Sequence, residues 1–211
     1  MPPTLVILSV LVIALFAISI SLSIWVTKRK FHPLLIISTA LTITVSLFFC
    51  VIYFGPSIWI HQELKNLQTT FSKDGICLQT TGSTYGPAAA VTVLSQLGIE
   101  AQESDLAIMS KCTLERGTTC EQLARAIKKL YGKKGIECSI CEFNSIEQLK
   151  ESCPIIAAIK LSSVVGHYTV VLEVTDDKVI VGDPIAGKKE WSYEYFRNKW
   201  SSVRIVLKRN N

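Results

Sequence analysis

The chain is predicted to be an α+β protein with an antiparallel sheet, preceded by a two-helix transmembrane hairpin. Three observations carry that prediction. Two long uncharged apolar runs open the sequence; helical periodicity with cap residues fills its middle; short β-branched runs separated by turn residues make up its last third. Of the 211 residues 49% are hydrophobic, more than one small soluble domain requires, and the surplus is concentrated at the N-terminus.

Thr4 to Val26 contains no charge over 23 residues. At about 1.5 Å per residue a helix of that length spans a hydrocarbon core roughly 30 Å thick. A cleavable signal peptide would start with a basic region and end a shorter apolar stretch in small residues; this run does neither and continues into "TKRK". Leu34 to Tyr53 is the second uncharged run, closed by "FGPSIWI", where Tyr53 and Trp59 suit the headgroup level. Lys28, Arg29 and Lys30 lie in the loop between the spans, whereas the N-terminal tail has no basic side chain. The positive-inside rule therefore predicts a cytoplasmic loop, with the N-terminus and everything after residue 60 on the outer side. The expected organisation is a hairpin over 1–60 (spans of about 4–26 and 34–54), a polar helical extension or stalk over 61–73, and a folded domain over 74–211.

Within that domain "GPAAAVTVLSQLG" predicts a helix over about 86–97: Pro87 suits a first turn, the alanines favour helix, and Gly98 ends it. "SDLAIMSKC" predicts a short helix capped by Ser104. "TTCEQLARAIKKLYG" predicts a third, with Thr118 and Glu121 spaced as a capping box, Leu123, Ile127 and Leu130 on one face, and Gly132 as terminator. The period then changes. "IECSICEF" reads as a strand, "SIEQLKES" as a short helix and "PIIAAIKL" as a buried strand; "GHYTVVLEVT" and "KVIVGDP" form a hairpin, followed by a short helix at "SYEYFRNKW" and a final strand at "SVRIVLK".

Six of the seven cysteines, Cys77, Cys112, Cys120, Cys138, Cys141 and Cys153, fall in this domain. An even number outside the membrane suits disulfides, and Cys112 with Cys120, flanking a Gly-containing turn, is the expected bridge. Cys138 and Cys141 have no second ligand pair at zinc-binding spacing, and they lack the helix N-terminus on which a redox pair relies. The net charge of +5 is spread among glutamates, leaving no basic stripe for nucleic acid, and no Walker-type glycine loop is present for a nucleotide. The sequence thus implies no cofactor, no metal and no nucleic-acid partner.

Thiol catalysis needs a thiolate at a helix N-terminus, an imidazole, a group that orients the imidazole, and an oxyanion donor. Gln79 lies six residues before position 85, on the approach to the first helix of the domain; position 85 is at the helix entrance; His167 opens one hairpin strand and Asp183 closes the other. "QTTGSTYGPAAAVTVLSQLGI", "RGTTCEQLARAIKKLYG" and "GHYTVVLEVTDDKVIVGDPIAGKKEWSYEYFRNKWSSVRIVL", in that order, resemble the bacteriocin-processing cysteine peptidases that cut leader peptides after a double glycine. The resemblance covers residues 74 to 208. It implies a papain-like fold with the oxyanion glutamine at Gln79, the histidine at His167, the aspartate at Asp183 and the nucleophile at position 85, which here is Tyr85.

A phenol with a pKa of about 10 is a poor nucleophile at neutral pH. The resemblance also extends to transporters that export repeat-in-toxin proteins, whose degenerate domain has tyrosine at this place and binds substrate without cutting it; Tyr85 is accordingly expected to hydrogen-bond His167. Cys77, Ser83 and Thr84 are the neighbouring groups that would have to rescue the chemistry, and none occupies the helix entrance. The expected function is a pseudo-peptidase that binds a peptide or unfolded protein segment in the old cleft, with Tyr85 and Trp191 as cleft residues, anchored in a bacterial cytoplasmic membrane. Two competing readings are a structural accessory subunit packed on other membrane subunits, and an active leader peptidase with a non-standard nucleophile.

Overall fold

The computed structural model describes residues 33–143, 145–161 and 166–210, together with six scattered helical positions between Ala14 and Trp25. The expected first span, about 4–26, and the basic loop after it otherwise lie outside the described residues. The chain divides into two compact units, Met1–Trp59 and Ile60–Asn211.

In the first unit the described structure is helix α1 (Pro33–Lys65), whose last turns belong to the second unit. Its stretch from Ile37 is the one helix among the described residues long and apolar enough to cross a membrane. Ile37, Leu41, Phe48 and Val51 are exposed along it. Thr42 and Thr44 donate their hydroxyls to the carbonyls of Ser38 and Ala40 one turn back, each at 2.9 Å, so these polar groups are satisfied within the helix itself.

The second unit is built on a six-stranded, wholly antiparallel sheet of order β3-β8-β4-β5-β6-β7. Its strands are β3 (Ile136–Glu142), β4 (Ile155–Lys160), β5 (Gly166–Val174), β6 (Lys178–Asp183), β7 (Gly187–Ser192) and β8 (Trp200–Arg209). A two-stranded ladder of β1 (Thr70–Phe71) and β2 (Cys77–Leu78) precedes it. The stretch read as an extension or stalk therefore carries the end of α1, where Leu64 is buried against Ala107 and Cys112, and strand β1. One core lies between the sheet and helices α2 (Tyr85–Gln96) and α4 (Cys120–Tyr131); a second involves α5 (Glu147–Lys150) and α6 (Tyr193–Lys199). Strand β4 feeds both, Ile156 into the first and Ile155 with Ala157 into the second, which explains its unbroken apolar sequence.

Helix α2 begins at Tyr85, and residues Gly86 to Leu94 are all buried. A helix sunk on every side needs small residues for close approach, and the alanine run supplies them. Gly98 follows with φ +72°, in the left-handed region where glycine is favoured after a helix. Helix α3 (Glu103–Met109) has Gln102 at the cap position, so the expected cap Ser104 lies inside the first turn. In α4 the capping box sits one residue later than the spacing suggested: Thr119 accepts from the Gln122 N–H and Gln122 accepts from the Thr119 N–H. Thr118 is committed elsewhere, donating to the Ser110 carbonyl at 3.4 Å.

All seven cysteines are free thiols, which overturns the expected disulfides. Cys112 points to the Ser83 carbonyl at 3.6 Å, in the small cluster with Leu64 and Ala107, whereas the Cys120 sulfur lies 3.0 Å from the Tyr168 hydroxyl under the sheet. Cys138 and Cys141, three apart on a strand, face opposite sides; one packs on each core, so they cannot join in a single bridge or metal site.

Candidate active site

Tyr85 is the first residue of α2, and its ring packs against the first core. The ring centroid is 5.0 Å from that of His167 and 5.7 Å from that of Tyr168. The phenolic O–H donates to the Arg116 carbonyl at 3.4 Å. Tyr85 therefore meets His167 ring against ring, and its hydroxyl bonds the Arg116 carbonyl in place of the expected imidazole. Burial, followed by the neighbouring Cys112, pushes the phenol's pKa up, so it remains a neutral O–H.

The turn that receives the phenol is closed by reciprocal backbone hydrogen bonds between Thr113 and Gly117 at 3.0 and 2.9 Å. Gly117 has φ +68°, and a Cβ there would stand 2.8 Å from the Tyr85 Oη and 2.9 Å from the Ser83 carbonyl oxygen. Glycine thus serves both the backbone conformation and the space the tyrosine needs.

His167 and Asp183 meet across the mouth of the β5–β6 hairpin. The His167 Nε2 donates to the Asp183 Oδ1 at 3.1 Å, with the residues only 2% and 8% exposed. The same carboxylate oxygen accepts from the Ile185 N–H at 2.9 Å. Burial alone pushes the Asp183 carboxyl up, but the hydrogen bonds from His167 and Ile185, with the charges of His167 and Lys189, outweigh it and hold the pKa below the ordinary aspartate value. The carboxylate is therefore an anion that orients the imidazole.

Gln79 joins this end of the hairpin through its backbone, whose N–H donates to the Pro184 carbonyl at 2.9 Å. Its side-chain Nε2 donates to the Thr81 carbonyl at 2.8 Å, while Oε1 is buried without a partner. The segment is pinned by a residue that local sequence patterns do not single out. Glu103, fully buried at the start of α3, accepts from the Thr80 N–H at 3.0 Å and the Thr80 hydroxyl at 2.7 Å. An acidic residue in a first helical turn reads as ordinary dipole compensation, and only the fold shows it gripping the glutamine's neighbour. Gly117 is equally silent in local sequence: its contact with position 85 joins distant stretches of chain.

The neighbouring hydroxyls and thiols have other duties. Cys77 is buried, its N–H donates to the Thr92 hydroxyl, and burial with the Glu103 charge raises its pKa to about 12. Thr84 sits at the helix cap position but closes a turn with Thr81 instead of bonding the helix N–H groups. Ser83 presents its carbonyl to Cys112. Trp191, expected in the cleft, packs on Tyr195 and Phe196 beside the second core, whereas Tyr85 belongs to the first. The described geometry holds and orients an imidazole at the entrance of a buried helix, and the side chain it offers at that entrance is a neutral phenol.

Comparison with known proteins agrees with this architecture. A family model described as the peptidase C39 family matches residues 73–211. A protein of Methanothermobacter marburgensis, described only as uncharacterized, is 28% identical over 148 residues, which are 70% of this chain and 97% of that protein. Among solved structures, the peptidase domain of Streptococcus ComA, a bi-functional ABC transporter involved in a quorum-sensing pathway, superposes with TM-score 0.53 at 23% identity, covering 69% of this chain and 99% of that domain. A double-glycine-motif protease from an AMS/PCAT transporter, solved with its leader peptide, gives TM-score 0.55 at 15% identity over 69% of this chain and 94% of that one. At these identities the two likenesses establish the papain-like fold.

Proposed function

The chain belongs to the peptidase C39 family, and on that premise we propose that it is a membrane-anchored pseudo-peptidase whose inherited cleft binds an extended peptide without cutting it. The observation that carries the proposal is Tyr85 at the first position of α2, its ring against His167 and its hydroxyl turned to Arg116. In this reading Tyr85 occupies the nucleophile's place, His167 and Asp183 retain the base and its orienting carboxylate, and Gln79 retains the oxyanion position. A protonated phenol offers no attacking anion at neutral pH, which weighs against an active peptidase with tyrosine as nucleophile. The leader peptide held by the AMS/PCAT protease supports a peptide, or an unfolded protein segment, as the ligand class.

The exposed apolar length of α1, with its internally bonded threonines, supports the anchor. In this reading the uncharged run 4–26 is the other helix of a hairpin, and Lys28, Arg29 and Lys30 support a cytoplasmic loop with the peptidase-like domain outside. The same apolar surfaces would be available to helices of other membrane subunits.

The decisive comparison is the full chain in detergent against Tyr85→Cys, incubated with double-glycine peptides and followed by mass spectrometry. Cleavage by Tyr85→Cys alone, abolished again when His167→Ala is added, is the expected result. Cleavage by the wild type would overturn the pseudo-peptidase reading; inactivity of both would show that the site retains only its shape.

A further inference from the structure

The two outer edges of the sheet are treated differently. Strand β7 at one edge reads "GKKEWS", with Lys188, Lys189 and Glu190 exposed. Charged residues, lysine above all, are the usual device that keeps an edge strand from pairing with another chain. Strand β3 at the other edge reads "IECSICE"; its two charges, Glu137 and Glu142, are acidic, and it carries neither lysine nor proline. It is paired to β8 over seven consecutive positions without a bulge, Ile136 with Arg209 through Glu142 with Val203. Among the described residues no strand pairs with its outer side, and Ile140 near its middle is 41% exposed. The open edge is therefore long and regular, with Ile140 as its exposed apolar residue.

The lysines absent from β3 are gathered beside it. A groove of about 740 Å³ runs along the N-terminal half of the strand, lined by Ile136 to Ser139 and by Lys128, Lys129, Lys133 and Lys208. All four ammonium groups belong to exposed residues, against one acid in the lining, Glu137. Lys128 and Lys129 also complement the C-terminal end of the α4 dipole, but Lys133 follows the helix and Lys208 is on β8, so the dipole does not account for the set.

We propose that the β3 edge is a second docking site, separate from the Tyr85 cleft, which takes an extended acidic segment of a partner polypeptide as a seventh strand. Main-chain hydrogen bonds to the free edge supply the strand addition, and the four lysines select acidic side chains.

The test uses the full-length chain in a neutral detergent and fluorescence anisotropy with the labelled peptide acetyl-EVETEVE-amide. Comparison peptides replace Glu by Lys throughout, or Val by Pro throughout. Saturable binding of the acidic peptide, weakening with added salt, is expected, and both comparison peptides should fail to bind. Ile140→Lys, which copies the guard of β7, and the neutralised variant Lys128→Gln/Lys133→Gln/Lys208→Gln should each weaken binding by about tenfold or more. Both variants are surface changes, and unaltered thermal midpoints would show that they remain folded. Equal binding of the Pro peptide would reduce the site to unspecific charge attraction and overturn strand addition. Undiminished binding to folded Ile140→Lys would remove the edge, and absence of acidic-peptide binding would remove the site. Dimers of the chain that are lost in Ile140→Lys would make a second copy the occupant. A Tyr85→Ala variant should bind the acidic peptide as the wild type does, which separates this site from the cleft.

Discussion

At the scale of the residue, the site turns on a few side chains whose partners lie far away in sequence. Gly117→Ala would force a methyl group against both the Tyr85 hydroxyl and the Ser83 carbonyl while straining a left-handed backbone. The expected cost is about 1–3 kcal/mol in denaturant unfolding. Because the Ser83 carbonyl and the positive φ remain when the phenol is removed, only part of that cost should return in a Tyr85→Ala background. The His167–Asp183 pair makes a pH-dependent prediction. The folded Asp183 carboxyl is held below its ordinary value near about 4, so its contribution is fully present above that pH and fades as pH falls through the folded value. Asp183→Ala should therefore destabilise the protein by about 1–3 kcal/mol near neutrality, leaving the His167 donor unpaired. The gap between wild type and variant should shrink as acid unfolding is followed below that value.

At the scale of the element, helix and strand patterns were largely legible, and the exceptions have physical causes. Ala88 to Val91, Leu123 with Ile127, and the run Ile155 to Ile159 announce buried helices and a buried strand, since burial dictates residue type directly. Strand β7 was not legible: as an edge strand it exposes Lys188, Lys189 and Glu190, so no alternation marks it. The shift of the capping box came from two adjacent threonines, each followed three residues later by a side chain able to complete the motif. Thr119→Ala should cost about 1 kcal/mol through loss of the α4 cap, measured by thermal or urea unfolding. Glu121→Ala, at the other spacing, should leave stability nearly unchanged. The positions of Gln79, Tyr85, His167 and Asp183 along helix and hairpin could be located from sequence by resemblance, but the grip of Glu103 on Thr80 and the accommodation of Tyr85 by Gly117 arise only from contacts between elements.

At the scale of the whole molecule, the apolar N-terminal region and the folded domain make separate demands on their surroundings. The proposal places the domain outside the membrane, and a membrane-impermeant protease added to intact cells should then digest it while sparing a reporter inserted at residues 28–30. Digestion only after permeabilisation would reverse the orientation. Salt washing should leave the chain in the membrane fraction, because the exposed residues of α1 are apolar and not ionic. The thiols need no disulfide partner to hold the fold on either side: Cys77, Cys112 and Cys120 are enclosed in packed cores.

Strand β8 sits inside the sheet, between β3 and β4, although it is the last of the strands along the chain. From it Arg209 reaches back to the Leu97 carbonyl at 2.8 Å, just past the helix that Tyr85 begins. During synthesis β3 and β4 emerge as neighbours in sequence but not in space, and the gap between them stays open until some forty further residues have left the ribosome. The sheet consequently cannot be completed before its C-terminal strand has been made. Under the proposed outward orientation, the thread that enters the membrane would still lack the strand that joins the two halves of its sheet.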